Sequence, residues 1–170
     1  MKLNYVGIVG AILAFVSVAL PWWTYIALGG SYDLKLYDQG ALSVWSLNYW
    51  YGWLALLLVV IGAILGLWGS IMSDGKKIVI GGGLLTLIAI IIFPIGLQTD
   101  LMRLNAPFGV FFSGTIFGVS YSTYLSYGFW FALVATIIMF VATLYPKLTP
   151  EAASPPPSPP PPPPSLTPGT

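Results

Sequence analysis

Four long apolar segments without a single charged residue constrain this chain more than any other feature of its sequence. All eleven Asp, Glu, Lys and Arg residues lie between these segments or outside them. About 20 residues at a rise of 1.5 Å cross a hydrocarbon core of about 30 Å, and lipid requires the backbone groups to be bonded within the segment. The sequence therefore predicts an all-α membrane fold, a four-transmembrane-helix bundle over residues 1–149. Its helices are expected at about 3–20, 50–72, 78–97 and 126–145.

The composition excludes several classes of function. Only 6% of the residues are charged and 57% are hydrophobic, whereas about a quarter of a soluble domain is charged. The chain has no cysteine and no histidine, which removes thiol nucleophiles, disulfides, the usual haem and metal ligands and the commonest general base. We therefore expect no catalytic residues, no cofactor and no metal. A net charge of +1 gives no support for a nucleic-acid partner.

The placement of lysine predicts the orientation of the chain in the cell membrane. Cytoplasmic segments carry an excess of Lys and Arg. Both termini of this multi-pass protein are therefore expected to be cytoplasmic, with the two longer loops, 21–49 and 98–125, outside. The residues on the predicted cytoplasmic side are Lys2, Lys76, Lys77 and Lys147.

The two outer loops are expected to form a small extracellular β-rich cap. Ser31–Asp38 alternates polar and apolar residues, as a half-buried strand does, and Ala41–Tyr49 is rich in β-forming residues. Phe108–Tyr124 mixes aromatic, β-branched and glycine residues and is expected to give one or two further strands. A competing interpretation makes Phe108–Val119 a re-entrant membrane segment, because it is nearly as apolar as the predicted helices.

Tryptophans mark the outer end of the first segment and the first loop. Pro21-Trp22-Trp23 is typical of an aromatic belt that closes a membrane helix at the interface. Together with Trp45, these residues are predicted to form an outer-loop aromatic cap. An alternative is a signal peptide cleaved after Ser17-Val18-Ala19, which meets the small-residue pattern.

Glycines in the second and third segments give candidate helix contacts. Gly62 and Gly66 form a GxxxG pattern, which lets two helix backbones approach closely, and Gly81 and Gly82 offer another small-residue face. Packing within the bundle is the favoured interpretation, and contact with a partner subunit is the alternative. Asp100 and Arg103, just beyond the third segment, are expected to form a solvated surface pair.

The last 21 residues, 150–170, change abruptly to a proline-rich sequence. Such a segment cannot bury a core, so we predict a disordered cytoplasmic tail that acts as an extended spacer. The alternative is a ligand for a proline-recognition domain, for which Pro155–Pro159 offers the PxxP core.

The first loop resembles that of the claudin and peripheral myelin protein group of tetraspan proteins. The resemblance consists of Trp22-Trp23 followed by Gly40-Ala41-Leu42-Ser43-Val44-Trp45, which is similar to the Trp and Gly-Leu-Trp elements of that group. The cysteine pair of the group is absent from this chain. The resemblance implies cytoplasmic termini, an outer sheet above a helical bundle and a non-catalytic role in adhesion or assembly.

These observations favour a non-enzymatic protein that acts through protein–protein contacts. It would be an accessory subunit of a membrane complex or a surface scaffold or adhesion protein, with the lipid bilayer and either a membrane-protein partner or a second copy of itself as contacts. The alternative is a passive channel or small-solute pore. Ion and proton pathways usually carry ionisable residues within the membrane, and the predicted spans have none.

Overall fold

The computed structural model describes residues 3–40, 43 and 47–144. Trp45 and the tail at 150–170 lie outside the described residues, so their predicted roles stay predictions. The helices are α1 (Tyr5–Ala19), α2 (Trp50–Ile71), α3 (Lys76–Arg103) and α4 (Tyr127–Ala142). The strands are β1 (Trp23–Ala27), β2 (Gly30–Leu34), β3 (Phe112–Ile116) and β4 (Val119–Leu125).

Among the helices that the structure describes, only α2 and α3 are long and apolar enough to cross a membrane. They have 22 and 28 residues, whereas α1 has 15 and α4 has 16. At 1.5 Å per residue the shorter helices reach about 22–24 Å, less than a hydrocarbon core of about 30 Å. With a four-stranded sheet also present, the predicted all-α class and four-transmembrane-helix bundle are wrong.

Local signals at the segment ends explain where α1 begins and ends and where α4 begins. Asn4 caps α1, its side chain accepting a hydrogen bond from the Gly7 amide at 3.1 Å, and Pro21 follows the helix closely. Ser126 has extended backbone angles and holds the start of α4 at Tyr127. Leu3 and Leu20, which the prediction included in the first helix, lie outside it, and apolar composition alone does not distinguish such residues from helix.

The helices pack side by side, with α2 and α3 joined by a short turn at residues 72–75. The first and last described residues lie at this turn end of the bundle. The Asn4 amide donates to the Ser70 carbonyl at 2.9 Å, and the Asn4 side chain donates to the Ala142 carbonyl at 2.7 Å. The described chain therefore begins and ends at the same end of the bundle, and the sheet lies at the opposite end.

The four strands form one antiparallel sheet in the order β2-β1-β4-β3. The central strands continue directly from α1 and into α4, where the Ser126 amide donates to the Trp22 carbonyl and the Gly128 amide to the Pro21 carbonyl. This sheet differs from the predicted strands in several places. β1 was not predicted, the strand expected over 31–38 ends at Leu34, and the described residues of 41–49 contain no strand. Residues 112–119 form part of a β-hairpin, so the re-entrant interpretation is wrong.

Candidate interaction surface

Two buried tryptophans fix the sheet to the helices. The Trp22 ring meets Phe93 and Phe129 edge to face, with centroid distances of 5.2 and 6.0 Å, and its indole N–H donates to the Ser17 carbonyl at 2.9 Å. The Trp23 indole N–H donates to the Val110 carbonyl at 2.9 Å. Both side chains are fully buried, so they are internal anchors and offer no exposed aromatic surface.

The α2–α3 contact is made by three of the four candidate glycines. A Cβ added at Gly82 would overlap the Gly62 carbonyl oxygen and lie 2.8 Å from the Gly66 amide nitrogen. A Cβ at Gly62 would lie 2.6 Å from the Gly82 carbonyl oxygen, whereas one at Gly66 would point toward α4, 2.7 Å from the sulfur of Met139. A Cβ at Gly81 would meet nothing within 4 Å. The contact of Gly62, Gly66 and Gly82 therefore lies inside this chain, and Gly81 is not part of it.

The sheet end of the α2–α3 contact carries a buried carboxylate. α3 continues to Arg103, so Asp100 belongs to the helix, is only 5% exposed and pairs with the Arg103 guanidinium at 3.4 Å. The Tyr51 hydroxyl is buried beside this carboxylate, and neither it nor the second Asp100 carboxylate oxygen has any other hydrogen-bond partner among the described residues. The predicted solvated surface pair is therefore wrong for Asp100.

Tyr49 connects the first loop to the start of α2. Its hydroxyl donates a hydrogen bond to the Lys35 carbonyl, just after β2. Burial raises the pKa of Tyr49 far above its usual range, and the nearby Tyr51 and Asp38 raise it further. The phenol therefore stays a neutral donor, and the loop is held to the helix at any ordinary pH.

The sheet has two chemically different faces, because side chains alternate along each strand. One face is aromatic and is covered by Phe108, whose ring lies 5.2 Å from Tyr25 and 5.9 Å from Tyr121. Burial raises the pKa of the Tyr25 phenol, and Tyr121 and Tyr32 add to this effect. The opposite face carries hydroxyl groups on all four strands, those of Thr24, Ser31, Ser113, Thr115, Ser120 and Ser122.

The two hairpins of the sheet repeat one turn geometry. Leu28-Gly29 has φ values of 52° and 75°, and Phe117-Gly118 has 50° and 79°. Two positive φ values define the type I′ turn that suits a two-residue hairpin, in which Asn or Gly is preferred at the first position. Here the first positions are occupied by Leu28 and Phe117, whose side chains are 80% and 100% exposed. A signal in the sequence that would have predicted both turns is the repeated Gly-x-Ser-Tyr at 29–32 and 118–121.

The two edges of the sheet differ in charge. β2 carries Asp33, and the chain continues to Lys35, whose backbone pairs with that of Asp38 in an isolated β-bridge. β3 has no charge, no proline and no partner other than β4 in the described part of the chain. Large exposed aromatic side chains flank it, Phe111 at 65% and Phe117 at 100% exposure. Natural proteins usually protect edge strands with charge, proline or a covering segment. We refer to residues 111–117 as the β3 edge and regard it as the candidate interaction surface.

The turn end of the bundle is polar. An open cleft of about 670 Å³ lies there, with Asp74, Lys76 and Lys77 among its lining residues. Both lysines are exposed, and they open the first turn of α3. The turn end therefore has a small positive excess of charge among the described residues.

The described residues contain no group of three or more His, Cys, Asp or Glu side chains that could hold a metal ion. Asp33 and Asp38 accept separate local hydrogen bonds, from the Thr24 hydroxyl and the Gly40 amide, both at 2.8 Å.

No family model matches this chain, and no curated protein matches it. The similarity to claudins therefore stays an expectation from the residues of the first loop.

Proposed function

We propose that this chain is a non-enzymatic membrane protein that works through protein contacts, as an accessory subunit of a membrane complex or as a surface scaffold. The observation that carries the proposal is the β3 edge. An uncharged edge strand with two exposed phenylalanines is a template for pairing with another chain, and a protein that never used it would be expected to protect it.

In this proposal α2 and α3 cross the membrane as a helical hairpin. Outward-facing apolar side chains between 42% and 57% exposed support contact with lipid, namely those of Trp53, Leu57, Ile64, Ile88 and Ile91. The exposed Lys76 and Lys77 favour a cytoplasmic position for the turn, which puts the sheet outside.

The packing of the helices supports a contact protein over a pore. Val59, Phe93 and Met139 are fully buried between the helices, and the glycine contact brings the α2 and α3 backbones together. A solute path through one chain would have to displace these groups, which pack at the density of a protein interior.

Purification of the full chain from its native membrane in mild detergent tests the proposal. We expect a stoichiometric complex, with other membrane proteins or with further copies of the chain, that leaves liposomes as impermeable as protein-free controls. Liposomes that become permeable to small solutes would favour the pore. Turnover of a substrate by a protein that has no partner and does not self-associate would refute both functions.

A further inference from the structure

We propose that the β3 edge binds the β3 edge of a second copy of this chain, antiparallel and across a twofold axis. The two four-stranded sheets would then form one continuous sheet of eight strands. This inference rests on the proposed function and names the partner at this edge. Three properties of the edge carry it: the direction of its backbone groups, its sequence symmetry and its lack of charge.

The backbone groups that point outward are those of Ser113 and Thr115. In an antiparallel strand the residues alternate, each pointing its N–H and C=O toward one neighbour or the other. The two-residue turn makes Ile116 and Val119 the closing pair of the hairpin, which is hydrogen bonded. The backbone N–H and C=O of Gly114, two residues earlier, therefore also point toward β4. Those of Ser113 and Thr115 point away from it. The free edge offers two N–H donors and two C=O acceptors.

The sequence of the β3 edge is self-complementary about Gly114. In an antiparallel pair centred there, each Ser113 lies opposite the partner's Thr115, and each Phe112 opposite the partner's Ile116. The outward N–H and C=O groups then form four hydrogen bonds across the axis. The hydroxyl side chains of Ser113 and Thr115 then face each other across the axis, as do the apolar side chains of Phe112 and Ile116. Such cross-strand pairs stabilise a sheet.

The exposed phenylalanines meet at the ends of the same register. Phe111 of each copy lies level with Phe117 of the other in this register. Phe117 has a positive φ of 50°, a conformation that is unfavourable for a bulky residue, and its fully exposed side chain has no contact that offsets this cost within one copy. Packing against a second copy gives this residue a function.

Charge favours a second copy at β3 and disfavours one at β2. Between Arg103 and Lys147 the sequence has no charged residue, so a twofold axis at β3 brings no like charges together in this hairpin. Pairing through β2 would bring two Asp33 carboxylates and two Lys35 ammonium groups near the new interface. Like charges across a strand pair destabilise it, so only one edge suits self-association.

Disulfide formation tests the register. This sequence has no cysteine, so Gly114→Cys gives a chain with one thiol. At the axis Gly114 faces itself in a non-hydrogen-bonded pair with a Cα separation of about 4.5 Å, within the range that a disulfide spans. We expect oxidation in detergent to give a covalent dimer in most of the protein. Ser31→Cys, on the other edge, should give no covalent dimer under the same oxidation.

Proline substitution tests the pairing itself. Ser113→Pro and Ser31→Pro each remove an outward N–H from an edge strand and leave the hydrogen bonds within the chain intact. By light scattering in detergent, the natural protein should be a dimer, Ser113→Pro should dissociate at least tenfold more readily, and Ser31→Pro should match the natural protein. Ser113→Lys repeats the test by charge if circular dichroism shows that Ser113→Pro is unfolded.

A natural chain that is monomeric at every concentration, a Gly114→Cys chain that gives no covalent dimer, or equal association of Ser113→Lys and the natural chain would overturn the inference. Failure here is distinct from failure of the proposed function. A monomeric chain that still co-purifies with other membrane proteins at fixed stoichiometry would refute the self-pairing and leave the contact function standing.

Discussion

The α2–α3 contact and the β3 edge differ in how their backbones are covered. In the contact, Gly62 and Gly82 have no side chains, so the two helix backbones lie against each other with no room for a Cβ at either position. At the β3 edge the backbone groups have no partner in the described part of the chain, and the neighbouring side chains stand exposed. The comparison indicates that substitutions in the first region should change stability, and those in the second should change association.

The largest effect on stability is expected where the helices join the sheet, at Trp22. Trp22→Ala removes a fully buried ring together with its edge-to-face contacts and its hydrogen bond to Ser17, and should cost about 3–5 kcal/mol in the free energy of unfolding. Denaturation in detergent measures this. Trp53→Ala, at a side chain that is 57% exposed, serves as the control and should cost much less. Equal losses would show that Trp22 is not an anchor.

The next effect separates two adjacent glycines. Gly82→Ala drives a Cβ into the α2 backbone and should cost about 1–3 kcal/mol, because backbone cannot move aside as a side chain can. Gly81→Ala meets open space and should stabilise the helix by up to about 1 kcal/mol. Thermal unfolding of both variants gives opposite signs in this account. A loss of stability in Gly81→Ala as large as in Gly82→Ala would refute the assignment of the contact.

A smaller effect distinguishes two tyrosines at the start of α2. Tyr49→Phe removes the hydrogen bond to the Lys35 carbonyl and should cost about 1 kcal/mol. Tyr51→Phe removes a hydroxyl that lies beside the Asp100 carboxylate but makes no hydrogen bond of good geometry among the described residues, and should change stability by less than about 0.5 kcal/mol. Chemical denaturation of the two variants side by side checks the order, and a larger cost for Tyr51→Phe would contradict it.

The smallest effect on stability is expected at the hairpin tips. Asn tolerates positive φ better than Phe or Leu, so Phe117→Asn and Leu28→Asn should each leave stability unchanged or raise it by up to about 1 kcal/mol. Only Phe117→Asn should weaken association, because Leu28 lies on the charged side of the sheet. Melting temperature and light scattering on the same samples measure the two properties. A loss of association in both variants would remove the distinction between the edges.

The sequence predicts some elements of this fold well because their signals are local. The second and third helices follow from uninterrupted apolar residues and the turn residues Ser73-Asp74-Gly75. β1 escapes prediction because Trp23–Ala27 is as apolar as a helix end, and its turn, Leu28-Gly29, lacks the usual Asn or Asp. The lengths of α1 and α4 depend on the Asn4 cap, on Pro21 and on strand pairing, which apolar composition does not report.

The candidate site is only partly visible in the sequence, for a similar reason. Glycine spacing indicates a close helix contact, but successive residues lie about 100° apart around a helix, so the side on which α2 packs decides between Gly81 and Gly82. The β3 edge depends on strand order. The sequence of Phe112–Ile116 is the same whether the strand lies at the edge or in the centre of the sheet.

The central claim is that a membrane crossed by α2 and α3 separates the sheet from the turn at residues 72–75. Single cysteines at Ser31 and at Ser73, in a chain that has none of its own, test it most directly when intact cells are treated with a membrane-impermeant thiol reagent. The account predicts that Ser31→Cys is labelled and that Ser73→Cys is labelled only after the cells are permeabilised. Labelling of both positions in intact cells, or of Ser73→Cys alone, would contradict it.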